Sequence, residues 1–517
     1  MLSDTLAPRQ AAGPTECPNV FDLLVEMREL RAQVIAEGES TLVAWGPVAR
    51  RAGYASPENL AQYLALRHTD LSSLQRRLQA LGLSSLGRSE ARVITALDAI
   101  ISTLERLAGI PASPYPGATA MQAADRALRA ERDRLFGGCD SAPYSRIMVT
   151  LPSEAAAEPR LLRELIKAGM TCARINCAHD DARAWSAMIA NIRAAEDETG
   201  IACRILMDIP GPKCRIEELQ AGEKHRVFVG DTIVLVDDLR KAPKHALAIT
   251  ASVPEILDRL ALGNHVWIND GRIGAKVMSR SAEAIGLEVF AARSKGEKVK
   301  REKGLNFPNV DLGLPALGPD DIAALDFIAE HADLVGFSFV QSPQDVEQLQ
   351  DHLAVRRGSR SPQGIVLKIE TPLAVQNLPQ LIVQSASHNP TAVMIARGDL
   401  AVELGFERLS EIQEEILWLC EAAHTPVVWA TQVLDGLVKD GLPSRAETTD
   451  AAMAQRAECV MLNKGPHVVQ GVTFLAHVLA RMDRHQSKKF ARFGPLNSWR
   501  QPIHETPWPP QPMFPAA

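Results

Sequence analysis

No stretch of this 517-residue chain approaches the roughly 18 consecutive apolar residues of a membrane-crossing helix, and the opening MLSDTLAPRQ has no apolar signal core. Nor is there an excess of one charge. With 56 Lys and Arg against 62 Asp and Glu, the net charge of −6 removes the bulk electrostatic case for a nucleic-acid or anionic-membrane partner. The eight cysteines are scattered without a CxxC pair. They indicate no zinc site, and buried free thiols in a reducing compartment are expected. A cytoplasmic location follows as the expectation. What remains is a composition of 46% apolar and 23% charged residues, that of an ordinary globular protein. Its length calls for two or three domains.

Residues 1–110 read as a helical domain. Leu23, Met27, Leu30 and Val34 share one face; Leu71, Leu74, Leu78 and Leu81 form a second stripe, and Val93, Leu97, Ile100, Leu104 and Leu107 a third. Ser56 before Pro57 is expected to be an N-cap. Residues 111–144 hold a proline-rich linker and a connecting helix over about 121–135. From about 145 the pattern changes to short apolar runs alternating with helical stretches: IMVTL, CARIN, RILMD, ADLVGFSF, IVLKIE, AVMIAR, PVVWATQ and CVMLN. Continuous apolar runs suit strands covered on both faces. Eight of them with helical connections predict an α/β protein, a (β/α)8 TIM barrel, over 145–217 and 309–487. The interruption after the third run, 218–308, alternates in period two and contains an Asn269-Asp270-Gly271 hairpin turn. It predicts a small antiparallel, β-barrel-like insert at the active-site end of the barrel and therefore a lid. The tail, 488–517, is dense in proline and is expected to be disordered or extended.

Barrel enzymes keep their chemistry at the C-terminal strand ends. Polar residues gather there: Arg174 and Asn176 after the second run, Asp208 after the third, Lys368 and Glu370 in the fifth, Arg397 and Asp399 after the sixth, and Thr431 with Gln432 after the seventh. Lys368 and Glu370 are two apart and share a strand face. With Asp399, Glu370 supplies two carboxylates, which suits Mg²⁺ completed by substrate oxygens and water. A metal, a lysine and an arginine converging on one point form a polyanion site of the kind phosphoryl transfer needs.

The segments KIETPLAVQNL, VMIARGDLAVEL, ATQVLDGLVKDGLPSRAETTD, CARINCAHD and KGLNFPNVDLGLPALGPDD resemble pyruvate kinase, in the family's order, from about Ser145 to Met482. The resemblance implies a cytoplasmic glycolytic phosphotransferase that converts phosphoenolpyruvate and ADP to pyruvate and ATP, and a homo-oligomer is expected. It implies Mg²⁺, with Mn²⁺ as an alternative, on Glu370 and Asp399. Lys368 would stabilise the phosphoryl group in flight and the enolate it leaves. Arg174 would hold the substrate phosphate, and the backbone at Gly398 and Asp399 its carboxylate. Thr431 would serve protonation of the enolate carbon. His179, Arg215 and Lys303 match the positions that handle the nucleotide phosphates.

The departures carry information as well. Many members bind K⁺ through Asn, Ser, Asp and Thr; Asn176 and Asp208 match two of these, but Ala178 and Ile209 replace the other two. Lys213 stands where the family usually has glutamate, and its ammonium is expected to replace K⁺ near Asp208, making the ion dispensable; a plain Asp208–Lys213 ion pair is the structural alternative. Pro210, Gln341 and Thr371 replace a lysine, an arginine and an asparagine. The loop after the eighth run is altered to Asn463, Lys464, Gly465 and Pro466, on the nucleotide side. The resemblance stops at GVTFLAHVLARM, so the family's effector-binding C-terminal domain is not expected here, and the N-terminal helices are extra. Two other readings stay open: an Mg²⁺-dependent lyase acting on pyruvate-like acids through an enolate, and a catalytically weak regulatory homologue.

Overall fold

The computed structural model describes residues 19–138, 143–220, 226–281, 283–308, 310, 312–488 and 490–491. Most of the tail expected to be disordered lies outside the described residues. All eight apolar runs form parallel strands: β1 (Arg146–Thr150), β2 (Cys172–Asn176), β3 (Arg204–Asp208), β4 (Leu334–Phe337), β5 (Gly364–Ile369), β6 (Thr391–Ala396), β7 (Val427–Ala430) and β8 (Cys459–Leu462). They close in sequence order into one barrel, β8 pairing back onto β1. Every residue of β1 and of β4 to β8 is buried, as strands sandwiched between a filled interior and an outer helical ring require.

The barrel interior is packed by Met148, Cys172, Leu206, Val366, Met394, Val428 and Met461, and two residues from outside the barrel join them. These are Leu135 and Phe136, at the end of the helix Ala118–Phe136. The segment expected to be a connecting helix is thus the plug of the barrel floor. Gly364 at the start of β5 makes room for it, since a Cβ there would stand 2.8 Å from Leu135 Cδ2.

The N-terminal helices do not have a core of their own. Leu23, Met27, Val34, Val93, Leu97 and Leu104 belong to one continuous apolar cluster with the outer face of the barrel. Asn59 joins the two parts, donating from Nδ2 to the carbonyls of Glu90 and Ala422 at 2.7 and 2.8 Å. The third stripe breaks at its end, where Leu107 is 54% exposed. Ser56 does precede the helix Pro57–Arg67, but its side chain makes no cap bond; its backbone N–H donates instead to Ala423 O on the barrel at 2.8 Å. Ser56 thus holds the N-cap position with proline at the helix start, and its backbone also ties that start to the barrel.

The insert after β3 is a seven-stranded sheet with its own core of Ile233, Leu235, Ile249, Val266, Ile273, Val277 and Leu287. It is not wholly antiparallel: Thr232–Val236 and Ala248–Ala251 run parallel. Its hairpin between His265–Ile268 and Ile273–Arg280 turns through Asn269, Asp270 and Gly271, all at positive φ. That turn rests on the barrel, with Gly271 so close that a Cβ would stand 3.1 Å from Val402 Cγ2.

Candidate active site

The polar strand ends meet at the C-terminal mouth of the barrel. Asp208, 1% exposed at the tip of β3, is the hub. Arg174 on the neighbouring β2 donates to Asp208 Oδ2 from Nε at 2.9 Å and from Nη2, and from Nη1 to Thr150 Oγ1 at 3.0 Å. Lys368 Nζ lies 3.3 Å from the same Oδ2 and 3.3 Å from Glu370 Oε1, and donates to Ser338 Oγ at 2.6 Å. Gly336 on β4 is a steric requirement here, because a Cβ would stand 2.5 Å from Asp208 Oδ1. Burial alone pushes the Asp208 carboxyl upward, but Lys368 and Arg174 outweigh it and hold the group below the ordinary carboxylate range.

Glu370 has the opposite balance. Burial raises its carboxyl, and Asp399 beside it adds to the rise against the pull of Lys368. Oε2 accepts from the backbone N–H of Phe339 at 2.6 Å. A buried carboxyl lifted by a neighbouring carboxylate is a place where a divalent cation is electrostatically welcome. Among the described residues no group of three or more His, Cys, Asp or Glu converges. Two carboxylates are a donor set that suits Mg²⁺, which keeps waters and substrate oxygens in its shell.

Asp399 opens the helix Arg397–Leu404, where Oδ1 accepts from Lys213 Nζ at 2.6 Å and lies 3.4 Å from Asn306 Nδ2. This differs from the sequence expectation: Lys213 is on Asp399, not Asp208, and the Asp208–Lys213 ion pair does not form. Asp208 already has two cations in contact, so a third finds its partner elsewhere. Asn176 pairs in register with Asp208, and its Oδ1 accepts from Ala178 N at 3.1 Å. Ile209 is fully buried.

Arg397 also departs from expectation. It turns away from the polyanion site to make a two-pronged pair with Asp450 at 2.5 and 2.9 Å, and donates to the carbonyls of Ala430 and Thr431 at 2.9 and 2.6 Å. Its guanidinium lies 4.6 Å from the Trp429 ring centroid. These contacts grip the end of β7, where Thr431 has φ +66° and Gln432 φ +58°. Thr431 in turn stands over Gly398, with Oγ1 3.9 Å from where a Cβ of that glycine would be.

Arg215 forms a bridge with Gly304, which sets it beside Lys303 on the return strand of the insert. His179 is held below the ordinary imidazole value by burial first and then by the positive charges of Lys464, Arg215 and Arg174. Lys464 of the altered loop thus joins a cationic rim. Sequence reading missed Thr150, Ser338, Asn306, Glu403 and Asp450. Glu403 is one helical turn after Asp399 and Ser338 ends an apolar run, so spacing held a signal for both; Asn306 and Asp450 are brought in by distant chain, and no local pattern marks them.

A family model described as the pyruvate kinase barrel domain matches residues 143–467, more than half of the chain. The chain belongs to the pyruvate kinase family. It is 32% identical over 322 residues to the pyruvate kinase of Mycobacterium intracellulare, covering 62% of this chain and 65% of that one. Against the pyruvate kinase of Mycobacterium tuberculosis strain H37Rv it is 30% identical over 350 residues, 66% of this chain and 71% of that one. Against rat pyruvate kinase PKLR it is 31% identical over 361 residues, 66% and 60%. The similarity thus spans between three-fifths and seven-tenths of these pyruvate kinases, and it contains Arg174, Asp208, Lys368, Glu370, Asp399 and Thr431.

Proposed function

We propose that the chain transfers the phosphoryl group of phosphoenolpyruvate to ADP, with Mg²⁺ held by Glu370 and Asp399 and without need of K⁺. The observation that carries this is Lys368: a buried ammonium within 3.3 Å of both Asp208 and Glu370 at the barrel mouth. The two carboxylates keep it charged against the cost of burial, so its proton stays bound well above neutral pH. A preorganised cation in a site shielded from water is worth far more to developing negative charge than the same cation in water.

Arg174, steadied by Thr150 and Asp208, binds the substrate phosphate. The backbone N–H groups at Gly398 and Asp399 receive the carboxylate at a helix start, where donors are unspent. Glu370 and Asp399 would hold Mg²⁺, which when bound would supply positive charge to offset that of the substrate oxygens. Lys368 stabilises the transferring phosphoryl group and then the enolate, whose carbon takes a proton from the side of Thr431 Oγ1. His179, Arg215 and Lys303 meet the phosphates of ADP. The added charge of Lys464 on that rim favours this reading over a lyase without a nucleotide. Independence from K⁺ rests on Ala178 and Ile209, which offer no side-chain oxygen, and on the fixed cations Arg174 and Lys368 that already neutralise Asp208.

The test is pyruvate formation from phosphoenolpyruvate and ADP with Mg²⁺, with and without K⁺, for the native chain and for Lys368→Met. The native chain should turn over equally with and without K⁺, and Lys368→Met should lose on the order of 10²–10³ in kcat, as loss of one preorganised electrostatic donor does. Absence of ADP-dependent turnover in the native chain overturns the assignment. A strong K⁺ requirement overturns its second half.

A further inference from the structure

Each of the two carboxylates assigned to the divalent ion already has a cation of its own. Lys368 serves Glu370 at 3.3 Å, and Lys213 serves Asp399 at 2.6 Å. The two lysines are placed very differently. Lys368 stands inside the barrel on β5, whereas Lys213 lies on the chain leaving β3 for the insert, and its Nζ is also 3.7 Å from Asp270 Oδ1 in the hairpin turn of that insert. Asp270 is 66% exposed in its side chain, while Lys213 is only 13% exposed.

The seat of Lys213 is built for it. Its stem crosses Gly304, where a Cβ would stand 2.6 Å from Lys213 Cε. Lys213, Asn306 and Glu403 line a cavity of about 310 Å³ between insert and barrel, so there is room beside the ammonium for it to move. Asn306 links the same neighbours, with Nδ2 3.4 Å from Asp399 Oδ1 and 3.1 Å from Glu403 Oε1. One ammonium therefore ties a hairpin of the insert to an oxygen that the divalent ion needs.

We propose that Lys213 is the resident counter-ion of Asp399 in the metal-free protein, and that binding of a divalent cation displaces its ammonium and thereby loosens the insert's hairpin from the barrel. This rests on the reading that Glu370 and Asp399 hold the metal. A divalent ion on Asp399 and an ammonium in contact with the same carboxylate repel each other, so each weakens the other's hold. By linkage, whatever the ammonium contributes to holding the hairpin is subtracted from metal affinity, and the metal in turn weakens the hairpin contact. Lys213 acts on the reaction through Asp399 and the hairpin, as a positioning residue.

The experiment uses the full-length chain and MgCl₂ alone, without substrates. Isothermal titration measures Mg²⁺ affinity for the native chain, Lys213→Met and Glu370→Ala, and hydrogen exchange follows residues 265–280 with and without Mg²⁺. Lys213→Met should bind Mg²⁺ more tightly, on the order of tenfold, the scale of losing one largely buried ion pair. In the native chain Mg²⁺ should speed exchange in the hairpin. In Lys213→Met exchange should be fast already and unmoved by Mg²⁺. If Glu370→Ala binds Mg²⁺ like the native chain, the metal assignment itself fails. If Glu370→Ala loses the ion while Lys213→Met shows native affinity, or its hairpin still responds to Mg²⁺, only the present inference is overturned. Should Lys213→Met not fold, Asp270→Asn on the exposed end of the tie replaces it: its hairpin must exchange faster than native without metal and respond less to Mg²⁺, and native behaviour overturns the inference.

Discussion

Replacing Glu403 with glutamine is expected to change how the stability of the metal-free protein depends on pH. Glu403 accepts from Asn306 Nδ2 at 3.1 Å and faces Asp399 and Lys213 across the cavity between insert and barrel. Loss of water around it raises its carboxyl most, Asp399 adds to that, and the Asn306 hydrogen bond and Lys213 oppose; the result is a pKa pushed from its ordinary 4.5 to about 7. A folded-state pKa above the unfolded one means that, between those two values, the folded chain keeps a proton the unfolded chain has lost. Stability therefore falls as pH rises through that window and is fully available only below it. At about 1.4 kcal/mol per unit, the shift corresponds to at most ~3 kcal/mol lost between pH 4.5 and 7. Glutamine has nearly the same shape, can still accept from Asn306 and does not titrate. Thermal unfolding of both proteins, dialysed free of metal and heated at one fixed rate, should give nearly equal Tm near pH 4.5. By pH 7 the Glu403→Gln protein should be more stable by a few degrees. A Tm difference that stays flat over this range, or shrinks as pH rises, refutes the reasoning.

Two further outcomes follow from the same contacts. Asp450→Asn removes the carboxylate that draws Arg397 against Trp429 and the Thr431 carbonyl; kcat for pyruvate formation should drop on the order of tenfold, while KM for ADP stays near native because the nucleotide rim is untouched. An unchanged kcat means Thr431 is held without Arg397. Phe136→Ala empties a fully buried site at the barrel floor, and should cost about 3–5 kcal/mol, read as a lower Tm with native kinetics well below it. Near-native Tm would show that the helix Ala118–Phe136 is not a structural plug.

The strands and the insert were legible because burial leaves a period in the sequence. Runs such as RILMD and AVMIAR have no polar interruption, and only a strand covered on both faces tolerates that. The polar residues that end these runs were legible for the same reason, since the next position leaves the packed interior. Partners left no such trace. Arg174, Lys368 and Lys213 are all cations within reach of several carboxylates, and which one each meets depends on the closure of the barrel and the angle of the insert. Lys213 was expected at Asp208, five residues away, and instead meets Asp399, because Arg174 and Lys368 had saturated the nearer carboxylate.

The sequence by itself determined the element types, the barrel, the place of the insert and the charged groups that end the strands at the mouth, because periodicity and residue chemistry are local properties. Tertiary structure alone decided that Ala118–Phe136 plugs the floor, that the N-terminal helices share the barrel's core, that Arg397 serves Asp450 and that Lys213 guards Asp399. Those are choices between partners far apart in the chain, and only the folded geometry brings the competing candidates to measurable distances.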